Sequence, residues 1–245
     1  MKLLAIDTAT EACSVALNLD GEIIERYTIE PRSHASQLLP MIDELLAETG
    51  LMLTELDAIA FDRGPGSFTG IRIGTSVVQG LAFGAELPVI PVSSLVILAQ
   101  AAVDKIQAPD MLAMLDARMA EIYWAKFKKV NGAFILQGEE QLSAPDKLVL
   151  PAGQWAVIGT GWGTYEDILQ QNTAIEWTER FPEALPRAAD LAMLAAAIWE
   201  EQGGVQAKQA LPLYLRNNVA KKKGKAGNGE HSFYSPKSDC QGESG

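Results

Sequence analysis

Residues 1–29 read MKLLAIDTATEACSVALNLDGEIIERYTI, and residues 111–139 read MLAMLDARMAEIYWAKFKKVNGAFILQGE. The first stretch opens on an apolar run from Lys2 to Ile6 that Asp7 closes. A polar loop follows, then a second run from Ser14 to Leu19, the turn Asp20-Gly21, and a third run from Glu22 to Ile29. Asp-Gly between apolar runs is a strong hairpin signature, because both residues of a tight turn of this kind need positive φ. The second stretch repeats the order: Met111 to Leu115 ends at Asp116, Ile122 to Lys128 follows, and Asn131-Gly132 turns the chain back through Ala133 to Glu139. Asp7 precedes Ser14 by seven residues and Gly21 by fourteen, while Asp116 precedes Tyr123 by seven and Gly132 by sixteen. A strand, an acidic loop and a hairpin used twice, about 110 residues apart, point to an internal duplication.

Each repeat continues into an α/β pattern. After the first hairpin, Leu38, Leu39, Ile42, Leu45 and Leu46 recur at helical spacing between Ser33 and Gly50, with Pro40 suited only to a first turn or a kink. A strand over Leu56–Phe61 runs into Arg63-Gly64-Pro65-Gly66-Ser67, and a second helix is expected from Phe68 to Phe83. Strand Val89–Val92 and helix Leu95–Ala102 complete the half. In the second half, strand Trp155–Ile158 runs into Gly159-Thr160-Gly161-Trp162-Gly163, parallel to Leu56–Phe61 running into Gly64-Pro65-Gly66, and a last helix spans about Arg187 to Gln202. Two similar α/β lobes meeting at a cleft are the natural architecture. The divisions are 1–104 for the first lobe, 105–216 for the second, and 217–245 for a flexible basic tail.

The chain has 245 residues and is 48% hydrophobic, which excludes a disordered chain. It carries 20 Lys+Arg against 31 Asp+Glu, a net charge of −11. Five of the lysines and three of the acids lie beyond Arg216, so residues 1–216 hold 15 basic and 28 acidic side chains, a net of −13. A body that acidic repels phosphates, and any contact with RNA falls to a partner or to the tail. Cys13 and Cys240 fit a reducing compartment better than a disulfide framework. With His34 and His231 the only imidazoles and no CxxC or HExxH spacing, no metal site is expected. The opening segment is too short and too interrupted for a signal peptide, and Leu95–Val103 and Leu191–Trp199 fall short of the ~20 residues that span a bilayer. A cytoplasmic protein with no membrane contact is expected.

Each motif has a chemical and a plainer reading. The loop Asp7-Thr8-Ala9-Thr10, with Asp116-Ala117-Arg118 as its counterpart, supplies hydroxyls and backbone N–H groups for a phosphate, or else forms turns whose side chains bond their own backbone. Asp7, Thr8, Thr10, Asp116 and Arg118 are therefore the candidate nucleotide contacts. Gly159 to Gly163 lacks the dinucleotide fingerprint and is either a nucleotide-facing turn or an ordinary one. His34 is a candidate base or a hydrogen-bonded helix-start histidine, and Lys221-Lys222-Lys223 with Lys225 either meets RNA or is solvated. Gly70, Gly74, Gly80 and Gly84 sit in the second helix as two pairs spaced by four. Each internal glycine costs up to about 1 kcal/mol against alanine, so close packing is implied, either onto the chain's own sheet or onto another subunit.

Four segments in this order, AIDTATEACSVAL (5–17), FDRGPGSFTGIRIG (61–74), MLDARMAEIYWAKF (114–127) and PLYLRNNVAKKK (212–223), resemble the bacterial TsaB (YeaZ) family, paralogues of the TsaD/Kae/Qri proteins. The resemblance covers about residues 1–223, and residues 224–245 have no counterpart in its pattern. It implies an actin-like ATPase (ribonuclease H-like) fold, each duplicated lobe a mixed sheet flanked by helices. It further implies a non-catalytic subunit, needed to form threonylcarbamoyladenosine at position 37 of tRNAs that read codons beginning with A. Such a subunit pairs with and activates the catalytic TsaD, alongside the ATPase TsaE and the synthase TsaC, and self-associates through the same surface. No tightly bound cofactor is implied, with ATP or ADP at the partner boundary as the candidate nucleotide. The catalytic relative's paired metal-binding histidines have no match, since Pro91-Val92-Ser93-Ser94-Leu95 holds none. The family's partner surface maps onto Leu38, Leu39, Ile42 and Leu45 of the first helix and Gly70, Ile73, Gly74, Val77, Gly80 and Leu81 of the second. Gly74→Leu or Gly80→Leu is expected to overfill that seam while the monomer stays folded. The alternatives are a free-standing ATPase or phosphotransferase, with Asp7 and Asp116 holding magnesium and water, and a peptidase, which lacks any supporting Ser/His/Asp spacing.

Overall fold

The computed structural model describes residues 1–30, 33–171 and 174–216. Arg32 and the lysines of residues 221–225 lie outside these.

The first lobe runs β1 (Lys2–Asp7), β2 (Ala12–Leu19), β3 (Glu22–Ile29), α1 (His34–Thr49), β4 (Ala58–Asp62), α2 (Phe68–Gly84), β5 (Val89–Val92) and α3 (Ser94–Ala101). The second runs β6 (Asp110–Asp116), β7 (Ile122–Val130), β8 (Ala133–Ser143), β9 (Gly153–Ile158), α4 (Thr160–Leu169), β10 (Ile175–Phe181) and α5 (Ala188–Gln202). The sheet orders are β3-β2-β1-β4-β5 and β8-β7-β6-β9-β10. Strand for strand, the two are the same. In each, the first two strands pair antiparallel and the first and fourth pair parallel, so the duplicated hairpin is the antiparallel edge of a mixed sheet. Both hairpin turns have positive φ at both residues, 54° and 100° at Asp20-Gly21 and 52° and 87° at Asn131-Gly132.

β1 reads as a continuous apolar run because both of its faces are covered. Leu4 and Ile6 join Leu38, Ile42, Leu45 and Val78 under α1 and α2, while Leu3 and Ala5 face α5. The α5 side is built from alanines, Ala5, Ala16, Ala58 and Ala60 against Ala188, Ala192 and Ala195, and small residues on both sides let the helix lie close to the sheet. α5 thus packs on the first sheet although chain order places it within residues 105–216. α3 leads the other way, with Ile97 in the first lobe's core and Leu95, Leu98 and Ala99 in the second's. The chain crosses between lobes at these two helices.

Two elements were not anticipated. α4 starts inside Gly159–Gly163, where glycines discourage a helical reading, and β10 hides in a short mixed stretch, Ile175-Glu-Trp-Thr-Glu-Arg-Phe181. At Gly161 a Cβ would press on β6, 3.0 Å from the Met114 side chain and 3.2 Å from the Leu115 carbonyl carbon, so glycine lets α4 lie close on the strand. Pro40 is the seventh residue of α1, past the first turn, on the exposed side. Between α4 and β10 the Trp162 and Trp177 rings meet at 4.6 Å, and Trp162 is fully buried. Trp162→Ala is expected to destabilise the chain by about 3–5 kcal/mol through the cavity it leaves, measurable from the shift in urea midpoint.

After α5 the chain returns along α2. Val205 bridges Val89, the Gln79 side chain donates to the Ala210 carbonyl, Leu213 N–H donates to the Arg63 carbonyl, and the segment ends at Arg216 against the β6–β7 loop. Among the described residues no helix is long and apolar enough to cross a membrane.

Candidate functional site

The two acidic loops lie at the ends of β1 and β6 and are built alike. The Ala9 N–H donates to Asp7 Oδ1 at 2.9 Å, and the Arg118 N–H donates to Asp116 Oδ1 at 2.8 Å. Each aspartate closes a turn on its own backbone, the plainer of the two readings of these loops. Their surroundings differ. Asp7 and Thr8 are completely covered, because the start of α2 sits on the first loop: Thr8 Oγ1 donates to the Gly70 carbonyl at 2.8 Å, and Ser67 N–H donates to the Ala9 carbonyl at 2.7 Å. A Cβ at Gly66 would lie 2.1 Å from the Ala9 oxygen, one at Gly70 2.0 Å from the Thr8 oxygen, and one at Gly74 2.4 Å from Thr8 Oγ1. The glycines of that half of α2 therefore serve the chain's own loop.

His34, the first residue of α1, has Nε2 at 3.1 Å from the carbonyls of both Thr10 and Ala12. Two carbonyls accept only, so Nε2 carries the proton and donates to both. The ring pins the loop from the far side, as the hydrogen-bonded helix-start reading has it.

The second loop is open. Arg118, Met119 and Ala120 occupy the left-handed region in succession, at φ 61°, 56° and 58°. Each such non-glycine residue is strained, and three in a row persist only where the surroundings hold them. Arg216 does this, donating through Nη2 to the carbonyls of Ala117 at 3.1 Å and Arg118 at 3.4 Å and pairing with Glu121. Asp116 accepts from Tyr165 Oη at 3.2 Å and pairs with the exposed Arg118 guanidinium at 2.9 Å.

Between the loops lies a cleft of about 970 Å³ whose walls include Thr10, Glu11, His34, Asp116, Arg118, Thr160, Glu183 and Arg216. Of the five candidate nucleotide contacts, Thr10, Asp116 and Arg118 line it. Asp7 and Thr8 do not, because α2 covers them, and that part of the expectation is corrected. Of the glycine-rich turn, Thr160 and Gly163 reach the cleft wall. Among the described residues no group of three or more His, Cys, Asp or Glu is placed to hold a metal ion.

The partner surface also needs correction. Leu38, Ile42 and Leu45 are at most 2% exposed and belong to the first lobe's own core, and Gly70 and Gly74 are covered by Thr8. The helical period of α1 marked the face turned to the sheet. What faces outward is Leu39 on α1 and, on α2, Ile73, Val77 and Leu81, half-buried around Gly80, which has nothing within 4 Å of its Cβ position. Farther along, Phe83 is 82% exposed and Gly84 is open.

Two features went unread in the sequence. Arg72 is sandwiched between aromatic rings, its Cζ 3.8 Å from the Phe68 centroid and 5.7 Å from that of Tyr214, with Nε donating to Tyr214 Oη at 2.9 Å. Asp62 is buried at the end of β4 beside Asp7. Phe68 and Arg72 are four apart on α2, a spacing the sequence shows, whereas the contacts of Arg72 with Tyr214 and of Asp62 with Asp7 join residues far apart in the chain.

The family model for "TsaD: tRNA N6-adenosine threonylcarbamoyltransferase" matches residues 23–224. The tRNA threonylcarbamoyladenosine biosynthesis protein TsaB of Escherichia coli (strain K12) is 42% identical over 228 residues, spanning 91% of this chain and 98% of that protein. This chain belongs to the TsaB family. The TsaB protein of Haemophilus influenzae is likewise 42% identical, over 91% of this chain and 97% of its own length. The solved structure of YeaZ from Pseudomonas aeruginosa superposes at a TM-score of 0.79 with 46% identity, covering 87% of this chain and 99% of that one. As a TsaB-family member with two mixed sheets of one topology, the chain has the α/β fold of the actin-like ATPases.

Proposed function

We propose that this chain is a non-catalytic subunit of the machinery that places the threonylcarbamoyl group on N6 of adenosine 37 in tRNAs reading codons that begin with A. It dimerises with and activates a TsaD-type catalytic subunit. The observation that carries this reading is 42% identity, over nearly the whole of both chains, to proteins named for threonylcarbamoyladenosine biosynthesis. The net charge of −13 on residues 1–216 supports tRNA contact made mainly through the complex. The apolar face of Leu39, Ile73, Val77, Gly80 and Leu81 is the docking surface for the TsaD-type partner, and for a second copy of this chain when that partner is absent. A TsaE-type ATPase and a TsaC-type synthase complete the system, and nucleotide, where it acts, sits at the partner boundary.

The ATPase reading is weaker on a specific observation. Asp7, its candidate magnesium ligand, is sealed under α2 and closed on its own backbone. Reconstitution with the synthase, the TsaD-type subunit and the TsaE-type ATPase, with and without this chain, is expected to yield modified tRNA only with it. Equal product in its absence overturns the proposal, and tight ATP binding with turnover by the isolated chain favours the ATPase.

A further inference from the structure

Asp7 and Asp62 are the last residues of two neighbouring parallel strands, and their side chains point the same way. Leu4 and Ile6 of β1 face α1 and α2, as do Ile59 and Phe61 of β4; Ala5, Ala58 and Ala60 face α5, and the two aspartates continue that second row. Both are fully buried, Asp7 at 0% and Asp62 at 2% exposure, and their carboxyls are within hydrogen-bonding reach of each other. One oxygen of each is taken. Asp7 Oδ1 accepts from Ala9 N–H, and Asp62 Oδ1 accepts from Gly64 N–H at 2.7 Å and from Ser94 Oγ at 2.6 Å. The remaining oxygens, Asp7 Oδ2 and Asp62 Oδ2, are buried without a donor, and neither aspartate takes part in an ion pair among the described residues.

We propose that Asp7 and Asp62 share one proton between their Oδ2 atoms, and that this proton latches the place where the chain crosses between the lobes. Two carboxylates facing each other away from water cannot both stay ionised, and one proton turns the repulsion into a hydrogen bond. The pair lies close to the starts of two helices. Ser94, which donates to Asp62, opens α3, while the Ala188 N–H that opens α5 donates at 2.9 Å to Ser14 Oγ, and Ser14 pairs with Asp7 across the β1–β2 ladder. α3 and α5 are the two helices at which the chain crosses between lobes. Releasing the proton places two like charges at their shared root and loosens the cleft that the lobes enclose.

The surrounding charged groups do not supply the missing partner. Glu25 of β3 is paired with Arg187, whose guanidinium also lies over the Tyr27 ring. Asp190 of α5 adds negative charge that Lys105 and Arg187 partly offset, and burial pushes it up to about 6. The Cys13 thiol of β2 is pushed up to about 11 by burial and stays neutral. Burial also raises the titration of Asp7 and of Asp62, and in Asp62 the charge of Asp7 adds to it.

The latch stands apart from the assignment to tRNA modification, and its test uses the whole chain with no partner. Above about pH 4 the unfolded chain has lost these protons while the folded chain keeps one, so stability falls as pH rises through the raised titration of the pair. The folded-to-unfolded ratio is expected to drop about tenfold per pH unit for each proton so held. In an Asp190→Asn background, which removes the half-buried acid of α5 on this side, Asp62→Asn is expected to flatten that dependence by one proton. Its amide oxygen still accepts from Gly64 and Ser94, and its NH₂ donates to Asp7. The unaltered protein is expected to show the infrared C=O stretch of a buried protonated carboxyl at neutral pH, a reading that needs no variant to fold. An unchanged pH dependence in Asp62→Asn overturns the latch. So does absence of the carboxyl band.

Discussion

Gly70→Ala is expected to destabilise this protein by about 3 kcal/mol, although replacing glycine by alanine inside a helix ordinarily stabilises by up to about 1 kcal/mol. The added Cβ falls 2.0 Å from the Thr8 carbonyl oxygen and 3.2 Å from its carbon. Both are backbone atoms of a loop held on every side. Thr8 Oγ1 donates to Gly70, Ser67 N–H donates to Ala9, Ala9 N–H donates to Asp7, and His34 clasps the Thr10 and Ala12 carbonyls. The clash is relieved only by lifting α2 off the loop, which breaks the Thr8 and Ser67 hydrogen bonds, each worth about 0.5–1.5 kcal/mol. Chemical denaturation of the variant beside the unaltered chain measures the loss. A midpoint equal to or above that of the parent contradicts the packing described here.

Gly80→Leu, nearly three turns farther along the same helix, has the opposite character. Nothing lies within 4 Å of the Cβ position at Gly80, so the monomer accepts the side chain and gains helix propensity, about 0.8 kcal/mol over glycine. The loss is expected in association. A leucine raised from the flat spot between Val77 and Leu81 holds an opposing helix away, and binding of the TsaD-type partner is expected to weaken about 30-fold or more, a loss of about 2 kcal/mol. Titration calorimetry of the folded variant against that partner measures it, with thermal unfolding as the control for the monomer. Full affinity in the variant removes Gly80 from the docking surface. Gly74→Leu, by contrast, drives its side chain into Thr8 Oγ1 and is expected to unfold the monomer before any partner is tested.

The contrast between Gly70 and Gly80 shows where sequence reading stops. The four glycines form one pattern in the chain, and nothing in their spacing distinguishes the pair that receives the β1–β2 loop from the pair left open. α1 is a similar case. The period of Leu38, Ile42 and Leu45 finds the helix correctly, but the same period marks the face that the chain's own sheet covers, so it names core residues when asked for a partner surface. The outward residue, Leu39, is the one that breaks the stripe.

The acidic loops follow the same rule. Asp7 and Asp116 stand in corresponding turns with the same aspartate-to-backbone hydrogen bond, and the repeat of strand, loop and hairpin locates both. One is sealed and the other open because the first lobe has α2 seated on its loop, whereas the second has a loop held in left-handed geometry by Arg216, arriving from about a hundred residues away. α4 is masked by its glycines, of which Gly161 lies close on Met114 of β6 and Gly163 on Pro182 just after β10, and β10 itself is a short stretch of mixed polar and apolar residues.

By itself the sequence determined the duplicated α/β plan, the strand, loop and hairpin order of each lobe, the acidic body and the family. These rest on local periodicity, turn chemistry and motif order, which act between residues near in the chain. Only the tertiary structure decided which glycines are filled, which leucines are covered, which of the two acidic loops is open, and that Asp7 meets Asp62 where the lobes join. Those outcomes depend on which surfaces are brought together when distant segments pack, and a pattern that is symmetric along the chain carries no record of which of its copies is covered.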